Sequence, residues 1–256
     1  MELKIMSFNI RYACDTGTEA WDERFKNLVP LVKDADPDLI GFQEVLPNQY
    51  HDLKEQFSSY KSVGAGRDDG MDKGERSAIF YNEKRFTHLD SGTFWLSETP
   101  DRPSLGWDAV CLRICTYAKL FDNRTHKQFI HFNTHLDHAG EQAKVEGAKL
   151  ILKTMLADKT PSFVTGDFNM EERSEPYKIL TSCELADAKY SAKLSMSHGT
   201  FHGFVPDNDI SEESPIDYLF YRKGKFGINS YKVLVNGSKG RYTSDHYPIL
   251  IGLFQL

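Results

Sequence analysis

Residues 162–169 read Ser-Phe-Val-Thr-Gly-Asp-Phe-Asn, an apolar and β-branched run that ends in a carboxylate, Asp167, and an amide, Asn169. Such a run reads as a buried strand whose polar residues emerge at its end. Two positions apart on an extended backbone, Asp167 and Asn169 face the same side. An acid that holds a water beside an amide that holds a phosphoryl oxygen is what in-line attack at phosphorus requires. An Asx-turn closing the strand is the alternative reading of the same residues.

Four more apolar runs end the same way. Glu44 closes LIGFQEV (39–45), His135 stands in FNTHLD (132–137), Asn9 in MSFNI (6–10), and Asp245 and His246 in SDHYP (244–248). Catalytic centres are commonly assembled from several strand ends that converge in space. If Asn9 and His246 serve one site, the chain cannot be cut between them, which predicts a single domain over residues 1–256. Two carboxylates about 4 Å apart repel by roughly 4 kcal/mol at an effective dielectric of about 20. A divalent cation turns that repulsion into attraction, and oxygen donors without a thiolate favour Mg2+, with Mn2+ as substitute.

The remaining pattern predicts strands and amphipathic helices. Leu3 to Ile10 and 38–45 read as strands; helices carry Phe25, Leu28, Val29 and Val32, then Tyr50, Leu53 and Phe57 after Pro47. The stretches 77–82, 87–97, 110–122 and 127–137 predict strands joined as hairpins, and a helix runs from about Glu141 to Ala157. Further strands follow at 215–222, 228–235 and 247–254, and the glycine- and acid-rich stretch 64–75 reads as a loop. Strand-rich halves with one-sided helices predict an α/β fold of two packed, mainly antiparallel sheets flanked by helices. On the strand at 127–137, His131, Asn133, His135 and Asp137 share one face. His135 and His138 fall on opposite faces, which argues against a shared zinc and for His135 as a donor to phosphate. Asp217 in PIDYLF pairs with His246 as an orienting carboxylate.

The 256 residues carry a formal net charge of -6, which disfavours an electrostatic grip on duplex DNA. No GxSxG elbow, P-loop or GxGxxG pattern is present. Cys14, Cys111, Cys115 and Cys183 lack CxxC spacing and predict free thiols, with Cys111 and Cys115 buried. No apolar run reaches the ~20 residues that span a bilayer. The charged start, MELKIMSFNI, shows no leader, so a cytoplasmic monomer without a membrane partner is expected.

At these residues the chain resembles the endonuclease/exonuclease/phosphatase superfamily, in a bacterial branch related to deadenylase and nocturnin-like enzymes. SFNIRY, GFQEV, NTHLD, TGDFN, IDYLF and SDHYP stand in the family's order across essentially the whole chain. The resemblance implies a four-layer α/β sandwich with its active site at the edge of two stacked sheets. It implies Glu44 as principal metal ligand, assisted by Asp245 and, directly or through water, by Asn9. Asp167 would position or deprotonate the attacking water and Asn169 would hold the phosphoryl group. His246, paired with Asp217, would stabilise the pentacovalent transition state. His135 matches the second family histidine, and Glu75 is similar to the glutamate that orients it in deoxyribonuclease-like members. A loop acid paired with Arg76 is the plainer reading of Glu75. Arg113 could reach a phosphate with its planar fork, and Trp95 and Trp107 could stack on a base or sugar or equally serve as core and loop packing residues. The activity expected is metal-dependent hydrolysis of a phosphodiester in a nucleotide or single-stranded nucleic acid. A phosphomonoesterase for a small sugar or inositol phosphate is the second reading, and a silent phospho-ligand binding module the third.

Overall fold

The computed structural model describes residues 1–182, 184–205, 209–237 and 241–256. Cys183 lies outside the described residues. In chain order the elements are β1 (Leu3–Asn9), α1 (Trp21–Ala35), β2 (Leu39–Val45), α2 (Pro47–Gln56), β3 (Tyr60–Val63) and β4 (Arg76–Asn82). Then come β5 (Phe86–Trp95), β6 (Ile114–Asp122), β7 (Lys127–His135), α3 (Glu141–Ala157), β8 (Ser162–Asp167) and α4 (Glu175–Thr181). The chain finishes with β9 (Leu185–Asp187), α5 (Ala188–Ser191), β10 (Leu194–Met196), β11 (Asp217–Arg222), β12 (Phe226–Val233) and β13 (Ile249–Gln255).

The strands form a seven-stranded sheet in the order β10-β12-β13-β1-β2-β4-β3 and a six-stranded sheet in the order β5-β6-β7-β8-β11-β9. Most neighbours run antiparallel; β1 with β2, β7 with β8 and β10 with β12 are the parallel pairs. The outer face of the first sheet packs Met6, Phe8, Ile40, Phe42 and Phe80 against Leu28 and Val32 of α1 and Leu53 of α2. The outer face of the second packs Ile130, Phe132 and Val164 against Ala148, Ile151 and Met155 of α3. Helix, sheet, sheet and helix thus form the four layers that one-sided helices and two-sided strands require.

What fills the space between the sheets changes along the strands. At one end it is apolar, with Ile5, Leu39, Phe129, Phe163 and Leu219 in one cluster. Two to four residues further along the strands it becomes polar. Gln43 Nε2 donates to Ser7 Oγ at 3.1 Å and Asn133 Oδ1 at 2.7 Å, and His131 Nε2 meets Thr165 Oγ1 at 2.7 Å. These bonds offset burial that would otherwise cost on the order of 1–3 kcal/mol per group, although Gln43 Oε1 and His131 Nδ1 find no partner among the described residues. Gly41 is needed here, because a Cβ would lie 2.4 Å from Thr165 Oγ1 and 2.5 Å from Asn133 Oδ1. Another two residues along, the strands end in Asn9, His135, Asp167 and, from β11, Asp217.

Two expectations need correction. Residues 110–113 do not join β6, which starts at Ile114. Val110 and Cys111 donate their backbone N–H groups to Asp137 Oδ2 at 3.2 Å each, while Ala139 and Gly140 donate to Asp137 Oδ1. That carboxylate clamps two loops instead of sharing the sheet face of His135. Among the thiols, Cys115 is buried but Cys14 is exposed and Cys111 half-exposed.

Candidate active site

The strand ends open into one cleft of about 550 Å³ lined by Glu44, Glu75, Arg113, His135, Asp167, Asn169, Asp245 and His246, together with Arg11, Tyr12, Arg67, Cys111, His138, Phe201 and Ile216. Asn9 and Asp217 lie directly behind it. Glu44 reaches the cleft because β2 is irregular between Phe42 and Val45, and its own φ of 61° lies in the left-handed region. For a residue with a Cβ this conformation costs on the order of 1 kcal/mol or more and is held by surrounding bonds. Here Tyr12 N donates to Glu44 Oε2 at 2.9 Å and Asn9 Nδ2 donates to Glu44 Oε1 at 3.0 Å.

Asn9 is a bridge between two carboxylates. Its Nδ2 also donates to Asp167 Oδ2 at 2.9 Å, while its Oδ1 accepts from Arg11 N at 3.0 Å. The amide oxygen therefore points away from Glu44. Asn169 departs from strand alternation: its φ is 45°, and its backbone N–H donates to Asp167 Oδ1 at 2.9 Å. The Asx-turn and the paired acid and amide turn out to be one feature. From that turn Asn169 Nδ2 donates to Leu136 O at 3.1 Å and meets His135 Nε2 at 2.9 Å.

The two histidines are electrostatically opposite. Burial by itself would lower the pKa of His246, but Asp217 and then Asp167 outweigh it and push it up to about 10. His246 Nδ1 lies 2.9 Å from Asp217 Oδ2, leaving Nε2 toward the cleft, 3.7 Å from Asp167 Oδ2. Burial and the cations Arg113, His246 and Arg67 hold His135 well below the usual histidine value. It is neutral, and with the Asn169 amide donating to Nε2 its proton belongs on Nδ1. His135 Nε2 therefore accepts, whereas Nε2 of the cationic His246 carries a proton.

The acids carry the strain of burial. Burial raises Asp167 to about 7 against the pull of His246. Asp245 is raised, first by burial and, after the opposing pull of His246, by the charge of Glu44. Both acids are nearly sealed from solvent, at 1% and 6% exposure. Glu44, His135 and Asp167 present ligand atoms within 4.8 Å of one another. The raised carboxyls of Asp167 and Asp245 fit a hard divalent cation, which would lower both.

The structure gives Glu75, Arg113, Trp95 and Trp107 the following surroundings. Glu75 does not reach His135, whose Nδ1 has no hydrogen-bond partner among the described residues; the Glu75 carboxylate pairs with Arg67 Nη1 at 2.7 Å. Arg76, its other expected partner, bonds Asp72 instead. Arg113 lines the cleft, but its fork is engaged by His138 Nδ1 at 3.1 Å and Asp137 Oδ2 at 3.6 Å. Trp95 is buried and donates to Arg67 O at 2.7 Å, so it supports the loop that carries Arg67 and does not stack on a ligand. Trp107 lines a separate depression with Glu146 and Lys149. Sequence reasoning missed Arg11, Tyr12, Arg67 and Phe201, all in loops, where no periodicity marks a side chain as facing the site.

The model of the Endonuclease/Exonuclease/phosphatase family matches residues 6–246, a span that contains every one of the cleft residues named above. The chain belongs to that family. It is similar to an endonuclease/exonuclease/phosphatase of Bacteroides vulgatus, 36% identical over 100% of both chains with a TM-score of 0.93. It is also similar to the mannosyl-6-phosphatase of Bacteroides thetaiotaomicron VPI-5482, 36% identical over 98% of this chain and 99% of that one, TM-score 0.91. The catalytic domain of human Nocturnin is 20% identical over 100% of this chain and 94% of that one, TM-score 0.78, a likeness of fold. As a family member the chain is a phosphoester hydrolase. Among the described residues no helix is long and apolar enough to cross a membrane.

Proposed function

We propose that this enzyme is a Mg2+-dependent phosphomonoesterase acting on a sugar phosphate, the second of the two enzymatic readings above. The observation that carries it is the 36% identity over nearly the full length of both chains to a mannosyl-6-phosphatase, against 20% to Nocturnin. The cleft supports it. Arg11, Arg67 and Arg113 line a compact space, which suits a monoester dianion, and neither Trp95 nor Trp107 is there to stack a nucleobase.

In this reading Glu44 and Asp245 would hold the cation, with Asn9 fixing Glu44 and Asp167 from behind. A cation held there would supply neutralisation of phosphoryl charge and favour ionised carboxylates. Asp167 takes a proton from the attacking water, and the sugar alkoxide, leaving on the opposite side, takes one from solvent. His246, cationic through Asp217, donates from Nε2 to the phosphoryl oxygen as charge accumulates in the transition state. Asn169 exchanges His135 for another phosphoryl oxygen, and neutral His135 keeps a second positive charge out of Asp167's surroundings. Attack is direct, with no covalent enzyme intermediate.

The test compares a hexose 6-phosphate, 4-nitrophenyl phosphate, bis(4-nitrophenyl) phosphate and a short oligonucleotide, each in Mg2+ with and without chelator. The sugar phosphate should have the highest kcat/KM and chelator should abolish turnover. Preference for the diester or the oligonucleotide would restore the phosphodiesterase reading.

A further inference from the structure

Arg24 lies on α1 and is completely withdrawn from solvent. Its guanidinium spends its donors on backbone carbonyls from three separate segments. Nε donates to Glu19 O at 2.7 Å, Nη1 to Ile10 O at 2.5 Å and Thr243 O at 3.4 Å, and Nη2 to Arg11 O at 3.0 Å and Tyr12 O at 3.4 Å. Trp21 and Phe204 flank it, 5.5 Å and 5.9 Å from the guanidinium carbon.

Two of those segments carry the site. In the first, Tyr12 N is the donor to Glu44 Oε2 and Arg11 N the donor to Asn9 Oδ1. Arg11 there has a φ of 55°, a left-handed conformation that a non-glycine residue keeps only when it is held. In the second, Thr243 stands two residues before Asp245 and three before His246. Arg11 Nη1 and Asp245 Oδ2, one from each segment, lie 3.7 Å apart.

We propose that Arg24 is a positioning residue that ties the segment 10–12 to the segment 243–246, so that Glu44 and Asp245 converge on one cation. The inference rests on the reading that these two carboxylates bind the metal. A planar fork is needed because one ammonium cannot reach carbonyls on opposite sides of it. On α1 the position is readable afterwards: Arg24 is four residues before Leu28 and eight before Val32, on the buried stripe.

The experiment compares Arg24→Lys with Arg85→Lys. Among the described residues Arg85 is the other fully buried arginine, tied to Asp38, Asp122 and Glu2 O at the far end of the sheets. For each folded variant we would measure Tm, kcat and KM on 4-nitrophenyl phosphate, and Mn2+ affinity by calorimetry without substrate. Arg24→Lys should weaken Mn2+ binding and lower kcat by at least about tenfold with KM changed by less than about twofold, while Arg85→Lys lowers Tm alone. Should the lysine variant not fold, Arg24→Gln keeps a donor for one carbonyl without burying a charge and is read the same way. Wild-type Mn2+ affinity and kcat in an Arg24 variant whose Tm has dropped would overturn the proposal. A wild-type protein that binds Mn2+ but turns over no phosphoester would sink the functional reading and leave the Arg24 comparison intact.

Discussion

Replacing Asp217 with Asn tests the charge on His246. The two side chains meet at 2.9 Å, Nδ1 to Oδ2, with Asp217 fully buried. At that separation and an effective dielectric of about 20, the attraction is about 6 kcal/mol, or roughly four pKa units. Burial opposes it and Asp167 assists, which leaves His246 at about 10. Without the Asp217 charge its largest support is gone, burial pulls the pKa well below 10 and the ring is neutral at pH 8. If catalysis needs the imidazolium, wild-type activity holds up to about pH 10 and falls above it, whereas the alkaline limb of Asp217→Asn lies at clearly lower pH. At pH 8 the variant should lose on the order of 10²–10⁴ in kcat, the range seen when an orienting carboxylate is removed. The stability sign agrees: a raised histidine stabilises fully below its unfolded value near 6.5 and loses that contribution as pH rises through 10. The assay is a kcat against pH profile together with an NMR titration of the His246 ring. An alkaline limb that stays in place while the ring pKa moves would refute the role given to His246.

Asp167→Asn should lower kcat at least about 10³-fold yet raise Tm in metal-free buffer at pH 8, because the ionised carboxylate there opposes burial; scanning calorimetry with and without chelator reads both. His131 is held to about 3 by burial and is neutral when folded, so its contribution is intact above pH 6.5 and falls by about 1.4 kcal/mol per unit below it. Going from pH 7 to pH 5 should cost the wild type about 2 kcal/mol more than His131→Asn, as measured by urea unfolding. Gly41→Ala should destabilise by about 1–3 kcal/mol through contact with Thr165 and Asn133, and a melting temperature equal to wild type would show that the sheets yield there without cost.

Much of the architecture was readable locally, because it rests on periodicity and on chain breaks. Alternation in 127–135, the one-sided stripe of 141–157 and the apolar runs that end at Asn9, Glu44 and Asp167 each follow from which face must be dry. The same patterns named the residues of the cleft, since a polar group at the end of a buried strand either closes a turn or serves a site. At Asn169 it closes a turn and also lines the cleft. Residues 110–113 look like strand and fail to be one, because the Asp137 carboxylate offers their N–H groups better partners than the sheet edge does.

What only the tertiary structure decided is who meets whom. Glu75 takes Arg67 and leaves His135, and Trp95 supports a loop, since both outcomes depend on where the 64–75 turn packs. The opposite charge states of His135 and His246 depend on neighbours far away in the chain, cations for one and Asp217 and Asp167 for the other. A side chain's type and periodicity are properties of the chain itself. Its pKa, its partner and its access to the cleft are sums over groups brought close by folding, and those sums exist only once the two sheets have closed.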